Sequence, residues 1–446
     1  MFKLISKKNL RSNVKTIKDL CAIVTPLEFL NEVKRQELIT KIETNSDLES
    51  GLFKSMVLSL IHSLVNYCQS MPETTNSYYA LPGGLVDHAL NRTEAALDLF
   101  RKHIVKDEAT DLTKDQKLWL YALLTAGILQ GIGKLQIDYR VELFEANGKF
   151  LKPWTPLLES MSASASYYNF EFLPEGDNDL RRRLNILLAR SLMPTEGFAW
   201  IISNPKVLSV WLALLSEDSR GAGTLGAILV RADAMAISRY FNEMLLKSLA
   251  TRGGRHGRIS TFVDTNPESL VEKERLIGVE FINWLSEKLA SGEILINKAP
   301  LLHVPGGLLM SAESFKWFVR EHPEYKNWRA ARAAFLSLGL HSKGADGSAI
   351  SNFEESKTHE MHSGIVFSEY AIALPENVQI YNAQTGESSS MSSLEFLYKS
   401  QITGHEFSRI DQKQSLQSME TLSSSGEWQI AEEKAKTLTS GKTRSG

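Results

Sequence analysis

Cysteine is scarce in this 446-residue chain: Cys21 and Cys68 are the two present, and they stand far apart. That number and spacing exclude a disulfide scaffold and a cysteine-based metal site, and point to a reducing compartment. A long apolar run is also missing. The longest, Leu118 to Leu129, falls short of the roughly 18 residues of a membrane helix, so no membrane insertion is expected. The basic opening MFKLISKKNLRSNVK has no apolar centre and does not read as a secretory signal. Charge of one sign is lacking too. The formal net charge is -2, so the chain is no generic polyanion binder, and any nucleic-acid surface must be a local patch. No internal repeat of fixed period is visible.

What is present is globular in kind: 43% hydrophobic and 23% charged residues, in a chain long enough for about two or three domains. Apolar residues recur at helical spacing in LEFLNEVKRQELITKIE and SMVLSLIHSLVNYCQS. MPETTNSYYALPGG, residues 71–84, reads as a loop with a proline and paired glycines, and a helix follows from Leu85 to about Val105. His88 sits at the edge of that helix's apolar stripe. QKLWLYALLTAGILQGIGK is an apolar helix ending in Gly-Ile-Gly-Lys. Residues 142–170 look irregular. DLRRRLNILLARSLM is an amphipathic helix with Asp177 or Asn178 as its cap. KVLSVWLALLSEDS and LGAILVRADAMAISRYFNEMLLKSL continue the helical pattern.

ATRGGRHGRIS, residues 250–260, breaks it with three glycines and three arginines, as a linker would. Beyond lies a mixed region. FINWLSEKLASG, ESFKWFVREH and WRAARAAFLSLGLH read as helices, and EILIN, LLHVPGGLLM and SGIVFSEYAIAL as strands. From about 385 the chain is Ser/Thr-rich and weakly hydrophobic, and disorder with one late helix is expected.

Three stretches of the helical part resemble the HD-type domain of MobH-type, TraI-like conjugative relaxases. MPETTNSYYALPGGLVDHALNRT is similar to a family segment with a short His run, a Gly-Gly-Leu and a His on the next helix. LLTAGILQGIGKLQIDYRVELF is similar to its Leu-His-Asp-x-Gly-Lys segment, and LGAILVRADAMAISRYF to its terminal Ala-Asp helix. KPWTPL and SLMPTEGFAWI fit between them. FINWLSEKLASGEILINKAPLLHVPGGLLMSAESFKWFV and WRAARAAFLSLGLHSKGADGSAI resemble the family's C-terminal domain, which the resemblance implies is winged-helix-like. Roughly residues 20–380 are covered, and the order of both domains makes the likeness specific. The implied fold is mainly α. A helical HD-like domain over 1–249 leads through a basic linker (250–265) to a smaller α/β winged-helix-like domain over 266–384, then a flexible tail over 385–446.

An HD-type hydrolase brings a His, an adjacent His-Asp pair and a later Asp onto a metal ion that activates water or polarises phosphate. The resemblance sets His88 at the first His and Asp233 at the last Asp. Asp138 keeps the acidic position after Gly-Lys. The central pair is replaced by Gln130 and Gly131, the His run by Ser77, Tyr78 and Tyr79, and the His of the DLRRRLNILL helix is absent. Too few ligands remain for a catalytic ion, so no metal or other cofactor is expected. His88, Asp138 and Asp233 are then structural partners or caps, Asp233 bonding a neighbouring helix or Arg231; the alternative is an active metal-dependent relaxase or phosphohydrolase in which the three hold a divalent ion in a rearranged site.

GILQGIGKL is not a phosphate loop, because Ile128 stands where a Gly is required and Leu135 where Ser or Thr is required. Helicase action is therefore not expected. Tyr78, Tyr79, Tyr167 and Tyr168 are the visible nucleophiles for nicking, and no His-rich motif accompanies them. For nucleic acid, Arg252, Arg255 and Arg258 with His256 form a mobile basic segment, and Arg329, Arg332 and Lys343 with His341 lie on or after the presumptive recognition helix. The expectation is a relaxase-derived, non-catalytic bacterial protein of the cytoplasm. It would bind DNA or a conjugation or type IV secretion partner. The polar tail SSSGEWQIAEEKAKTLTSGKTRSG suits export through such a channel, which would make the chain a secreted effector instead.

Overall fold

Side-chain caps set where many of the helices begin. The computed structural model describes residues 17–105, 111–174, 176–251, 267–344, 347–402 and 406–410. Thr25 accepts from the Glu28 amide to open α1 (Pro26–Phe29), with Pro26 in the first turn where no amide is needed. It is preceded by β1 (Cys21–Ala22) and followed by α2 (Val33–Ser46). Helices α3 (Ser50–Leu52) and α4 (Ser59–Cys68) are joined by a π-helical stretch, Phe53–Leu58. Helix α5 (Gly84–Phe100) carries His88 and is buried along nearly all of its length. Thr113 and Gln116 form a reciprocal capping box at the start of α6 (Lys114–Leu129), and a tight turn leads to α7 (Lys134–Ile137).

The segment expected to be irregular is a sheet. β2 (Tyr139–Phe144), β3 (Phe150–Pro153) and β4 (Tyr167–Phe172) pair antiparallel in the order β1-β4-β2-β3. Tyr139, Val141 and Leu143 alternate inward, a period-2 pattern too short to separate from a loop in the sequence. Asp177 caps α8 (Asn178–Leu192), accepting from the Asp179 and Leu180 amides. Then come α9 (Thr195–Ile202), α10 (Pro205–Leu215) and α11 (Ser219–Thr251), the last interrupted at Gly223, whose backbone is non-helical.

In the C-terminal region α12 (Pro267–Ser291) precedes the hairpin β5 (Leu301–Val304) and β6 (Gly307–Met310), followed by α13 (Ala312–Glu321) and α14 (Trp328–Ser337). A second hairpin, β7 (Ser351–Glu355) and β8 (Met361–Phe367), follows, then the small ladder β9 (Asn377–Tyr381) with β10 (Ser388–Ser392). Helix α15 (Ser393–Ile402) and β11 (Phe407–Ile410) close the described chain. The larger sheet runs β11-β7-β8-β6-β5. Three expectations change here. EILIN contributes one bridge, Ile296 to Ile380, and no strand. The strand expected over 363–374 ends at Phe367, and Tyr370–Ala373 is a 3-10 turn. The tail expected to be flexible from 385 is ordered over β10 and α15, because Phe396 and Leu397 anchor an otherwise polar segment in the core.

Two cores share one helix. Ile228, Leu229 and Ala232 of α11 pack into the large helical core, whereas Ala227, Ala234, Ile237 and Phe241 pack with α12, α13, α14 and the C-terminal strands. Asp233 therefore lies where the two regions meet. Among the described residues one helical stretch, Lys114–Ile137, is long and apolar enough to cross a bilayer, and most of it is buried in the protein core.

Candidate functional site

The loop before α5 folds back onto the helix it starts. A side chain on Gly84 would lie 1.9 Å from the Tyr79 carbonyl oxygen, and Gly83 has φ +82°, so the turn needs both glycines. The Glu73 amide donates to that same carbonyl at 2.8 Å. Arg35 bonds Asp87 at 2.7 Å and the Phe29 carbonyl at 2.9 Å, fixing the first turn of α5. The result sets two rings on His88: Tyr79 stacked at 4.9 Å and Tyr78 edge-on at 5.4 Å between centroids.

His88 is 2% exposed and stands between two carboxylates. Its Nε2 lies 3.1 Å from Asp233 Oδ1, and its Nδ1 lies 3.6 Å from Glu73 Oε1. One helical turn on, Arg92 shares the face of His88. Its guanidinium is 3.0 Å from the same Asp233 Oδ1 and donates to the Gly127 carbonyl at 2.9 Å and the Gln130 carbonyl at 2.8 Å. Lys134 Nζ pairs with Glu73 from the other side. Gly131, with φ +81°, makes the turn that brings Lys134 round.

Each charged form is stabilised by its neighbours. Burial alone would raise the Glu73 carboxyl, but Lys134 and His88 outweigh it and hold it down to about 2. Burial likewise acts against a charged Asp233, and His88 and Arg92 keep its carboxyl well below the usual range. Burial would lower His88, yet Asp233 and Glu73 raise it above an ordinary imidazole. From the C-terminal region comes Glu369, whose carboxyl burial pushes up to about 7; the negative Asp233 adds to that rise and His88 opposes it.

The arrangement does not suit a metal ion. Ligand atoms must converge on one point, but the two His88 nitrogens face different carboxylates. The Asp233 oxygen nearest His88 is shared with Arg92. Gln130 turns its amide toward the Leu214 carbonyl, 3.5 Å away, and Gly131 has no donor. The His88 imidazole is flanked by a carboxylate on each side, and both raise it above an ordinary imidazole against the effect of burial.

The remaining expected residues separate. Asp138 does not join the cluster; it pairs with Arg181 of α8 at 3.2 Å. Arg231, expected beside Asp233, instead donates to the Ala371 carbonyl at 2.7 Å. In α8 the buried Asn185 takes the inward place, accepting from the Gly133 amide at 2.7 Å and donating to the Leu215 carbonyl at 2.8 Å. Gly-Ile-Gly-Lys follows helix α6, not a strand, and its Lys134 is held by Glu73, so it is no phosphate cradle. Burial pushes the hydroxyls of Tyr78, Tyr79 and Tyr168 up; Tyr79 donates to the Ala236 carbonyl at 3.0 Å, and Tyr168 accepts from the Ser70 amide at 2.9 Å.

Among the nucleic-acid candidates, Arg252, Arg255, Arg258 and His256 lie outside the described residues, as does the stretch 425–446. Arg329 and Arg332 both stand on α14 with their guanidiniums 5.0 and 5.5 Å from the centre of the Trp328 ring. Lys316 of α13 approaches the same ring at 5.9 Å. Arg332 Nε is buried without a hydrogen-bond partner, and burial and the nearby Lys343 lower the His341 imidazole below its ordinary value. Lys343, exposed, follows the helix; its carbonyl accepts from Arg409 at 3.1 Å.

Glu73, Arg92, Lys134 and Glu369 were not foreseen as members of the cluster. The one signal in the sequence was the spacing of Arg92, four residues beyond His88 on one helix face. Glu73 and Glu369 reach the site by loop geometry and by the packing of the second region, which no local pattern carries.

Residues 22–253, more than half of the chain, match the family model TraI_2, described as "Putative helicase". Residues 276–385 match TraI_2_C, described as "Putative conjugal transfer nickase/helicase TraI C-term". A search of curated proteins finds no match.

Proposed function

Because the chain belongs to the TraI_2 family and carries the TraI C-terminal module of conjugal transfer, we propose that it is a relaxase-derived, non-catalytic DNA-binding protein of conjugative transfer. The observation that carries this reading is the Arg92 guanidinium on Asp233, beside His88. A relaxase of the HD type would need that carboxylate and that imidazole for an ion. Here a fixed cation from the protein itself supplies the positive charge. The helical region is then a scaffold, and its charges are satisfied internally.

Binding falls to the C-terminal region. Helices α13 and α14 followed by the β7–β8 hairpin are consistent with a winged-helix-like arrangement in which α14 meets the DNA. Phosphates need accessible cations whose charge is not already neutralised. Arg329 and Arg332 have no carboxylate partner among the described residues, and they rest on Trp328. Purified protein should show no cleavage of single- or double-stranded DNA with magnesium, manganese or zinc. It should bind a fluorescent oligonucleotide with affinity that falls steeply as salt rises. Cleavage abolished by His88→Ala would overturn the non-catalytic part. Absence of salt-sensitive binding would overturn the DNA part and leave a secretion partner as the ligand.

A further inference from the structure

The turn between β7 and β8 gathers metal-binding side chains that no part of the proposed function uses. Residues 354–362 read EESKTHEMH, three glutamates and two histidines in nine positions. One donor atom each from Glu355, Glu360 and His362 lies within 4.8 Å of the other two. His362 Nε2 stands 3.9 Å from Glu355 Oε2; that nitrogen is buried and makes no hydrogen bond. Buried polar atoms are usually satisfied, and His362 Nε2 is one of eleven side-chain atoms among the described residues that are not.

The backbone holds the three groups in place. The Glu355 amide donates to the Glu360 carbonyl at 3.0 Å, and the His359 amide to the Glu355 carbonyl at 2.9 Å, closing the turn. The Phe407 ring on β11 stands edge-on to the His362 ring at 5.6 Å and fixes its orientation. Thr358 Oγ1 donates to Glu355 Oε2 at 2.7 Å, the kind of outer contact that orients a ligating carboxylate.

We propose that Glu355, Glu360 and His362 bind one divalent transition-metal ion of the zinc type. One imidazole nitrogen with two carboxylate oxygens matches the donors zinc accepts. Calcium takes six to eight oxygens and magnesium a near-octahedral oxygen shell, and this turn supplies neither. Around zinc, donors about 2.0–2.2 Å from the ion stand about 3.4 Å apart, so the three must close by about 1 Å. Glu360 is exposed and free to rotate that far. The ion would tie the last residue of β7 to the start of β8, and water would complete its shell. Its role would be to stabilise the hairpin, because ligand binding to the folded state alone raises stability.

The test is calorimetric titration of the full chain with zinc chloride, after chelation and desalting, with circular dichroism to check folding. One equivalent should bind with a micromolar Kd. His362→Ala and Glu360→Gln should each weaken binding at least tenfold, and His88→Ala should bind as the parent does. Cobalt(II) should give visible absorption in the parent that His362→Ala loses. Absence of zinc binding, binding unchanged in both hairpin variants, or loss of binding in His88→Ala would overturn the proposal. The His88 arm separates this site from the helical cluster, so the non-catalytic reading stands or falls independently.

Discussion

The helical cluster and the α13–α14 face use similar residues to opposite ends. Around His88, the cations Arg92 and Lys134 and the imidazole itself meet the carboxylates of Glu73 and Asp233 inside the protein. On α13–α14, Arg329, Arg332 and Lys316 crowd one tryptophan ring, and among the described residues Glu313 is the one carboxylate that pairs with them, meeting Lys316 at 2.6 Å. Charges buried in pairs hold a fold together and are unavailable to a ligand. Cations left over on a surface are available to phosphates. The contrast shows why a site's residue types say less than what already occupies them.

The comparison breaks most visibly if Arg92 is removed. Arg92→Ala removes one of the two partners of Asp233, leaving His88, and strips two carbonyls of theirs, so its cost should approach the about 3–5 kcal/mol of breaking a buried pair. Urea denaturation should show a loss of that order. Arg92→Met combined with Asp233→Leu should cost less than the single change, because no uncompensated charge remains. Next in size, Arg329→Ala with Arg332→Ala should lower DNA affinity about tenfold and reduce the salt dependence by about two ion equivalents. Stability should change by less than about 1 kcal/mol, because Arg329 is exposed, Arg332 is half-buried and neither pairs with a carboxylate among the described residues. A large stability loss with no change in binding would reverse the roles assigned to the two regions.

The sequence made parts of this legible and hid others, for physical reasons. His88 and Asp233 were placed by resemblance, and they do meet, at 3.1 Å. Replacement of the central pair by Gln130 and Gly131 was readable directly. That Arg92 takes the facing position was not, since a helical arginine reads as solvated until a tertiary carboxylate is known. The helices were legible from apolar spacing and caps such as Asp177. The β2–β4 sheet was not, because strands of four to six residues give too few alternations. Order in α15 was hidden by composition, since two buried anchors, Phe396 and Leu397, suffice for a polar segment.

Smaller effects sharpen the account through pH. Glu369 has its folded value raised to about 7 from an ordinary glutamate near 4.5, so its share of stability is present below 4.5 and lost as pH rises to about 7. His88 is also raised, so its share is complete below about 6.5 and lost as pH rises through its folded value. The two shares should thus fall as pH rises from about 4.5 into the alkaline range, and Glu369→Gln should flatten the part between 4.5 and 7. Glu73, held to about 2, works the other way: its share is present above 4.5 and lost as pH falls toward 2. Smallest of all, Gly131→Ala should cost about 1 kcal/mol, because φ +81° strains any residue with a Cβ.

The central claim is that a protein cation, not a metal ion, neutralises Asp233 beside His88. Elemental analysis in a His362→Ala background, with and without His88→Ala, tests it most directly, because the hairpin site is then removed. The account predicts less than a tenth of an equivalent of any divalent metal in both proteins, each folded. Stoichiometric metal in the His362→Ala protein that disappears on adding His88→Ala would contradict it.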